Sequence, residues 1–391
     1  MVSLSEARSE EFVYLDHAAS SPIRPRVVAA MQEAQAFYAN PSGSHRLARE
    51  ARARLESARE TVASALGCQP NELLFTSGGT ESDNMAVLGT LGASTVTSPQ
   101  LLVSAIEHKA VLAPAHHLAQ RGDAQCHEIP VGRDGVVDLD AFESLLGEHV
   151  AVVSVMAANN ETGALQPLAE IAALVKEKAP QAVLHSDAVQ AAPYLDLKEI
   201  GATYDLISIS AHKLGGPKGA GALVVRRTSS FEPLIRGGGQ EFDRRGGTND
   251  IVGAIGLGVA LEEAIEHRQD ESVRLRALMH ILQERATKID AVYATIPNTD
   301  SLPGHAHLLV EGVTRDELLV LLDREGVCAS AGSSCASGAL EQSHVLSAMG
   351  VSASLSRGAL RFSGGWTTTM QDIDYVLEVL PQVVTRLRGN R

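Results

Sequence analysis

Tyr204-Asp205-Leu206-Ile207-Ser208-Ile209-Ser210-Ala211-His212-Lys213-Leu214-Gly215-Gly216-Pro217-Lys218-Gly219 joins an apolar, β-prone run to a histidine–lysine pair and a glycine-rich turn. The run is short and almost unbroken, the pattern of a strand buried on both faces of a parallel sheet. Lys213 then stands at the end of a buried strand, where desolvation disfavours its charge. An amine held this way suits a Schiff base with an aldehyde. The alternative is an ordinary surface lysine at a strand end, and the rest of the chain decides between them.

Outward from this stretch, similar apolar runs recur at Glu72–Thr76, Leu101–Ala105, Val150–Met156, Ala182–Ser186 and Gly221–Val225. Helical patterns lie between them. In Ser44–Gly67 the apolar positions Leu47, Ala51, Leu55, Ala58, Val62 and Leu66 step by three or four, with Ser44 as N-cap and Gly67 as the stop. The alternation predicts an α/β fold, a mostly parallel sheet between helices. The last third reads differently: a long helix from Ile251 to Ile289, a strand at His307–Val310, a helix at Thr314–Glu325, a strand at Leu360–Ser363 and a closing helix at Met370–Leu387. This predicts a smaller α+β domain. The boundaries expected are 16–258 for the large domain, and 1–15 with 259–391 for the small one.

With 391 residues there is room for both domains. A net charge of −14 argues against binding nucleic acid or anionic membranes directly. No apolar stretch is long enough to span a bilayer, and Met1–Arg8 lacks a signal-peptide core, so the expected location is the cytoplasm. Cys68, Cys126, Cys328 and Cys335 form no Cys-x-x-Cys pair, and the fourteen histidines show no ligand spacing, so no metal site is expected. Most of the histidines read as ordinary polar residues, and Cys68, Cys126 and Cys328 as packing.

Several motifs fall just after strands. Thr76-Ser77-Gly78-Gly79-Thr80-Glu81-Ser82-Asp83-Asn84 opens a helix with small residues, where free N–H groups and the Thr80 hydroxyl bind a single phosphate; the alternative is a plain strand-to-helix turn. It is neither a P-loop nor a dinucleotide fingerprint. Asp187, in His185-Ser186-Asp187-Ala188-Val189-Gln190, either caps a helix or pairs with a protonated ring nitrogen. His108 follows another strand and suits stacking on a flat ring or proton transfer, unless it is structural. Ala158-Asn159-Asn160-Glu161-Thr162-Gly163 is a polar cluster on the same sheet edge, or a turn. Arg361, inside an apolar strand, grips a carboxylate or makes a structural ion pair. Cys335 lies in the small-residue stretch from Ala329 to Leu340, expected to be a mobile loop carrying a thiol or a linker with an incidental cysteine. A lysine for an aldehyde, a carboxylate for a ring nitrogen and a phosphate cup are together what pyridoxal phosphate requires.

Taken in order, these motifs resemble the cysteine desulfurases of the NifS/IscS type, within the class V aminotransferase family. The resemblance rests on Tyr14–Ala19, Asn40-Pro41-Ser42, Ser44-His45-Arg46, Thr76–Asn84, Glu107-His108-Lys109, Asn159-Asn160-Glu161, Asp187–Gln190, Ser210–Gly219, Gly237–Glu241, Gly247-Thr248, Ser333-Ser334-Cys335 and Arg361-Phe362-Ser363. It implies a fold-type I architecture: a large cofactor-binding domain with a seven-stranded sheet, and a small domain carrying the cysteine loop, about 329–340. It implies that Lys213 bonds the pyridoxal phosphate aldehyde, Asp187 pairs with the pyridine nitrogen, Gln190 contacts the ring oxygen and His108 stacks on the ring. Gly79, Thr80, Ser210 and His212 would hold the phosphate, and Thr248 would reach the phosphate of a neighbouring subunit in a homodimer. Asn160 and Arg361, with Asn40, would hold the carboxylate of L-cysteine. Cys335 would take the sulfur as a persulfide for an acceptor protein, an iron–sulfur scaffold or a thiolation factor, leaving alanine.

Other readings stand beside this one: another class V enzyme, an aminotransferase or selenocysteine lyase in which Cys335 is incidental, or a binding module that kept the fold. The chain also departs from the family pattern. Gly246 stands where many relatives have serine, Phe242-Asp243 replaces a usual glycine/arginine pair, and the chain ends soon after its last helix where relatives that feed a scaffold often have a longer tail.

Overall fold

The computed structural model describes residues 12–226, 229–332 and 342–389. Seven strands form the main sheet: β2 (Leu73–Thr76), β3 (Gln100–Ser104), β4 (Gln125–Ile129), β5 (Val150–Ser154), β6 (Val183–Asp187), β7 (Leu206–Ser210) and β8 (Gly221–Val225). Their order across the sheet is β2-β8-β7-β6-β5-β3-β4. The β4/β3, β3/β5, β5/β6 and β6/β7 pairs are parallel, while β8 runs antiparallel to both β7 and β2. The apolar runs that predict these strands are buried throughout in β5, β7 and β8. β4, Gln-Cys-His-Glu-Ile, sits at the sheet edge and is mostly not buried, which accounts for its polar composition.

Because six strands point the same way, their carboxyl ends share one edge. That edge receives the turns after β2, β3, β5, β6 and β7, where ligands collect in open α/β sheets.

The helix expected over Ser44–Gly67 spans Arg46–Ala65, and its cap is His45, whose ring accepts the Ala48 N–H at 3.2 Å, not Ser44. Leu47 lies on the exposed side, and Arg59 takes a buried place instead. The guanidinium of Arg59 fits there because Glu241 receives it through two 2.8 Å bonds and the Leu73 carbonyl accepts a third.

The helix Ile251–Ala286 is capped by Asp250, which accepts the Gly253 N–H at 2.9 Å. At 36 residues it is roughly 54 Å long. Leu257 and Leu261 join the core beneath the main sheet, while Leu278, Met279 and Leu282 join a second core. That second core backs an antiparallel sheet of β9 (Val292–Ala294), β10 (His305–Val310) and β12 (Ala359–Ser363), ordered β12-β10-β9. β1 (Val13–Tyr14) pairs in parallel with β11 (Val327–Cys328). His305 and His307 depart from the ordinary polar role expected of them: every residue of β10 is buried, and burial pushes both imidazoles down to about 3, so they are neutral.

Among the described residues, no helix is long and apolar enough to cross a membrane, and no cluster of His, Cys, Asp and Glu could hold a metal ion.

Candidate active site

The common strand edge opens on a cavity of about 400 Å³. Gly79, Thr80, His108, Asn160, Asp187, Gln190, Ser210, His212, Lys213 and Arg361 all line it. The sequence spreads these residues over nearly three hundred positions, and the parallel topology brings them together.

Lys213 ends a single 3-10 turn, Ala211–Lys213, directly after β7. Its ammonium donates to the Ala18 and Ala19 carbonyls at 2.5 and 2.8 Å. Burial, with Arg361 adding repulsion, pushes its pKa down to about 8. A lysine so tuned releases a proton near neutral pH, as a Schiff-base amine requires.

Asp187 is the last residue of β6 and is 5% exposed. One carboxyl oxygen accepts the Val189 N–H at 2.9 Å. Burial raises its pKa, and the Val189 bond and the charges of His108 and Lys213 oppose that rise. Gln190 turns its amide to the Ala18 carbonyl at 2.8 Å. His108 caps the helix Lys109–Arg121, its Nδ1 accepting the Ala110 N–H at 3.1 Å. That bond leaves the ring proton on Nε2 in the neutral form, and burial lowers the pKa toward that form.

The turn after β2 is built for close approach. Gly78 has φ 142° and ψ −177°, a conformation left to glycine. A Cβ on Gly79 would lie 2.8 Å from Val189 Cγ2, on the cavity wall. Ser210 lies against this turn, its Oγ 3.7 Å from a Cβ placed on Gly78, and His212 lines the same cavity. Burial and two lysines push the His212 imidazole down to about 4, so it is neutral.

Arg361, on β12, is 3% exposed. It donates to Asp16 Oδ1 at 2.7 Å and to the Asn160 carbonyl at 2.7 Å. The two readings of Arg361 thus coexist: an ion pair fixes it, and its guanidinium still borders the cavity.

Asn40 and Thr248 are exposed and do not line the cavity. Asn40 accepts the Ser42 N–H at 2.9 Å. Cys335 lies outside the described residues; Ser330 and Gly332 before it and His344 after it line the cavity.

The sequence reading missed several lining residues: Asp83, Glu161, His344 and the Ala18-Ala19 pair. Asp83 lay in plain view, an acid followed by the apolar Met85-Ala86-Val87, but helix-start acids are usually surface residues. Glu161 is 2% exposed and accepts from Ser343 Oγ at 2.6 Å. His344 donates from Nε2 to the Glu107 carbonyl at 2.9 Å. Nothing local in the sequence marks His344, whose hydrogen-bond partner Glu107 lies 237 residues away.

Comparison with known proteins agrees with the geometry. The pattern of the family "Aminotransferase class-V" matches residues 13–376. "Cysteine desulfurase IscS" of Dictyoglomus turgidum is 40% identical over 378 residues, covering 96% of this chain and 95% of that protein. "IscS-like cysteine desulfurase" of Mycobacterium tuberculosis is 42% identical over 382 residues, covering 96% and 97%. A solved structure titled "NIFS-LIKE PROTEIN" superposes with a TM-score of 0.90 at 33% identity, covering 96% of this chain and all of that one. The chain belongs to the class-V aminotransferase family, among the cysteine desulfurases of the NifS/IscS type.

Proposed function

We propose that this enzyme is a pyridoxal-phosphate-dependent cysteine desulfurase that converts L-cysteine to L-alanine and leaves the sulfur on Cys335. The observation that carries the reading is the convergence of Lys213, with its pKa held down to about 8, and the buried Asp187 carboxylate on one cavity. The cavity's size is that of a small-cofactor site. The residues present fit the group. Lys213 would bond its aldehyde, and Asp187 would face its ring nitrogen. Gln190 and His108 would flank the ring, and Gly79, Thr80, Ser210 and His212 would surround its phosphate. When bound, pyridoxal phosphate supplies an electron sink for the bonds at the amino acid's Cα.

The chain's own groups then divide the work. Lys213 would accept the α-proton of the substrate. Asp187 would keep the ring nitrogen protonated by its negative charge. Arg361, fixed by Asp16 and the Asn160 carbonyl, offers the remaining face of its guanidinium to the substrate carboxylate, beside Asn160. His108 handles protons beside the substrate thiol. The Cys335 thiolate would attack the substrate sulfur; the C–S electron pair would stay on the substrate carbon, which takes up a proton on the way to alanine, and the sulfur would remain on Cys335 as a persulfide.

A homodimer is part of this reading. Thr248 is exposed here, and the exposed Leu234, Ile235 and Phe242 lie close to it along the chain. So is division into a large domain, 16–258, and a small one, 1–15 with 259–391. The sulfur acceptor, an iron–sulfur scaffold or thiolation factor, and a cytoplasmic location complete it.

The decisive experiment is Cys335→Ala, with alanine and sulfide measured from cysteine and a reductant. We expect turnover to fall by at least about a hundredfold while the cofactor's visible band persists. Full turnover in this variant would make Cys335 incidental and favour another class V activity.

A further inference from the structure

Behind the cavity wall that carries Arg361, two buried side chains of complementary chemistry lie side by side, each with an unmatched nitrogen. Arg361 on β12 stands directly opposite His307 on β10 in the antiparallel register. Residues paired in this way share one face of a sheet, with Cβ atoms about 4.5–5.5 Å apart. Arg361 is 3% exposed and His307 is 1% exposed.

The guanidinium is held at its two ends. Nη1 donates to the Asn160 carbonyl and Nη2 to Asp16 Oδ1, each at 2.7 Å. Each of these nitrogens keeps one further N–H. Nε differs: it is buried and has no hydrogen-bond partner. Its N–H belongs to a cation, and leaving such a donor unpaired costs more than leaving a neutral one.

His307 has the matching gap. Its Nδ1 lies 2.6 Å from Thr295 Oγ1, and its Nε2 is buried without a partner. A neutral imidazole carries one N–H and one lone pair, and a hydroxyl can serve either. The Thr295 bond therefore permits both tautomers, and Arg361 separates them. With the proton on Nε2, two N–H donors share one face and neither has an acceptor. With the proton on Nδ1, Thr295 accepts it, and Nε2 offers a lone pair to the Arg361 Nε–H. A direct bond and one across a single water need the same tautomer. An imidazolium is disfavoured by burial and by the neighbouring guanidinium. His305, on the same face, stands opposite Ser363 instead and borders a separate small chamber with Lys213 and Tyr194.

We propose that His307 is a positioning residue for substrate binding: as the Nδ1–H tautomer it accepts the Nε–H of Arg361 and fixes the plane of the guanidinium, so that the remaining N–H groups meet the substrate carboxylate. Asp16, the Asn160 carbonyl and His307 then hold the guanidinium at three points. The role toward the carboxylate rests on the reading of the site given above; the tautomer stands apart from it.

The tautomer is tested first. In the cofactor-free protein, long-range ¹H–¹⁵N spectra of the histidine rings distinguish Nδ1–H, Nε2–H and imidazolium. The His307 signals are identified by their loss in His307→Asn. We expect Nδ1–H in wild type. Arg361→Met removes the Nε–H, and Nε2–H should then become populated. Nε2–H or imidazolium in wild type overturns the proposal, and so does a tautomer that stays put in Arg361→Met.

Kinetics with cysteine test the positioning. His307→Asn still presents an oxygen to Arg361 and should keep KM within about threefold of wild type. His307→Phe keeps the bulk of the ring but neither nitrogen, so KM should rise about fivefold to thirtyfold while kcat stays within about twofold. An unchanged KM, or a fall in kcat alone, makes His307 a packing residue and overturns its positioning role. Should His307→Phe or Arg361→Met fail to fold, the wild-type tautomer decides. Wild type that does not turn over cysteine overturns the reading of the site, and with it the role toward the carboxylate; that result is distinct from a wrong tautomer in an enzyme that turns over normally.

Discussion

The two walls of the cavity are built on different principles. On the main-sheet side, Asp187 and Lys213 hang from the ends of adjacent parallel strands, β6 and β7, and each is fixed by neighbours close in sequence or by the Ala18-Ala19 carbonyls. On the opposite side, Arg361 is fixed by two partners far along the chain, Asp16 and Asn160. The first wall is a product of topology: once the strands pair, the residues are in place. The second is a product of long-range ion pairing, and it depends on the β10–β12 sheet packing against the large sheet's edge. The first wall should therefore tolerate changes around it and fail only when a reacting group is removed. The second should degrade by degrees.

Removing Lys213 is the largest break on the first wall. On the proposed reading Lys213→Ala takes away both the cofactor anchor and the proton acceptor, so turnover should drop by at least ~10³-fold, with loss of the visible band in the purified protein. Wild-type-like turnover would remove Lys213 from the reaction.

Lys213 also leaves a signature in stability. Its folded-state pKa of about 8 lies below the unfolded value of about 10.4. Between those limits the unfolded chain binds more protons, so stability of the cofactor-free protein rises with pH in that window. Below about pH 8 the amine is charged in both states and its burial costs the folded state; above about pH 10.4 both states are neutral and the cost is gone. Lys213→Met should thus be more stable than wild type at pH 7, by up to about a hundredfold in the folding equilibrium, and lose that advantage as pH climbs through the window. Denaturant melts at four or five pH values measure it, and a pH-independent difference would contradict the depressed pKa.

On the second wall, Arg361→Ala should lower kcat/KM for cysteine by about tenfold to a hundredfold, mostly through KM, because a charged hydrogen bond to the substrate carboxylate is lost in ground and transition states alike. It should also destabilise the fold, since Asp16 and the Asn160 carbonyl lose their donor together. An unchanged KM would leave Arg361 with its structural role only.

This contrast matches what could be read from the chain. The strands of the main sheet were legible because each is an unbroken apolar run, and Lys213, Asp187 and His108 were legible because each directly follows one. The cap at His45 was not, because an imidazole nitrogen can replace the hydroxyl that Ser44 offered. Buried charges were the main blind spot. Arg59, Asp83, Glu107 and Glu161 are each written as ordinary polar positions, and only their partners make them internal. Those partners lie up to 182 residues away, as in Arg59–Glu241 and Glu161–Ser343, beyond any local pattern. The histidines of β10 escaped for the same reason: His305 and His307 alternate with apolar residues in a strand buried on both faces.

The mildest break is Asp16→Asn. Asp16 keeps a 23% exposed side chain, so its pair with Arg361 is partly screened and the direct loss is modest. The asparagine still presents an oxygen to Arg361, but without charge. Two effects follow, in opposite senses. Arg361 loses some rigidity, which weakens substrate binding, yet its charge is less neutralised, which strengthens attraction to a carboxylate. The net change in KM for cysteine should stay within about fivefold in either direction. Lys213 reports the change more cleanly. Asp16 supports its protonated form and Arg361 opposes it, so removing the carboxylate moves the Lys213 pKa further down. In the cofactor-free protein, the pH at which Lys213 becomes reactive to an amine-labelling reagent should shift to lower values in Asp16→Asn. Should that midpoint stay fixed or rise, the two walls are not electrostatically coupled through Arg361, and Lys213 owes its depressed pKa to burial alone.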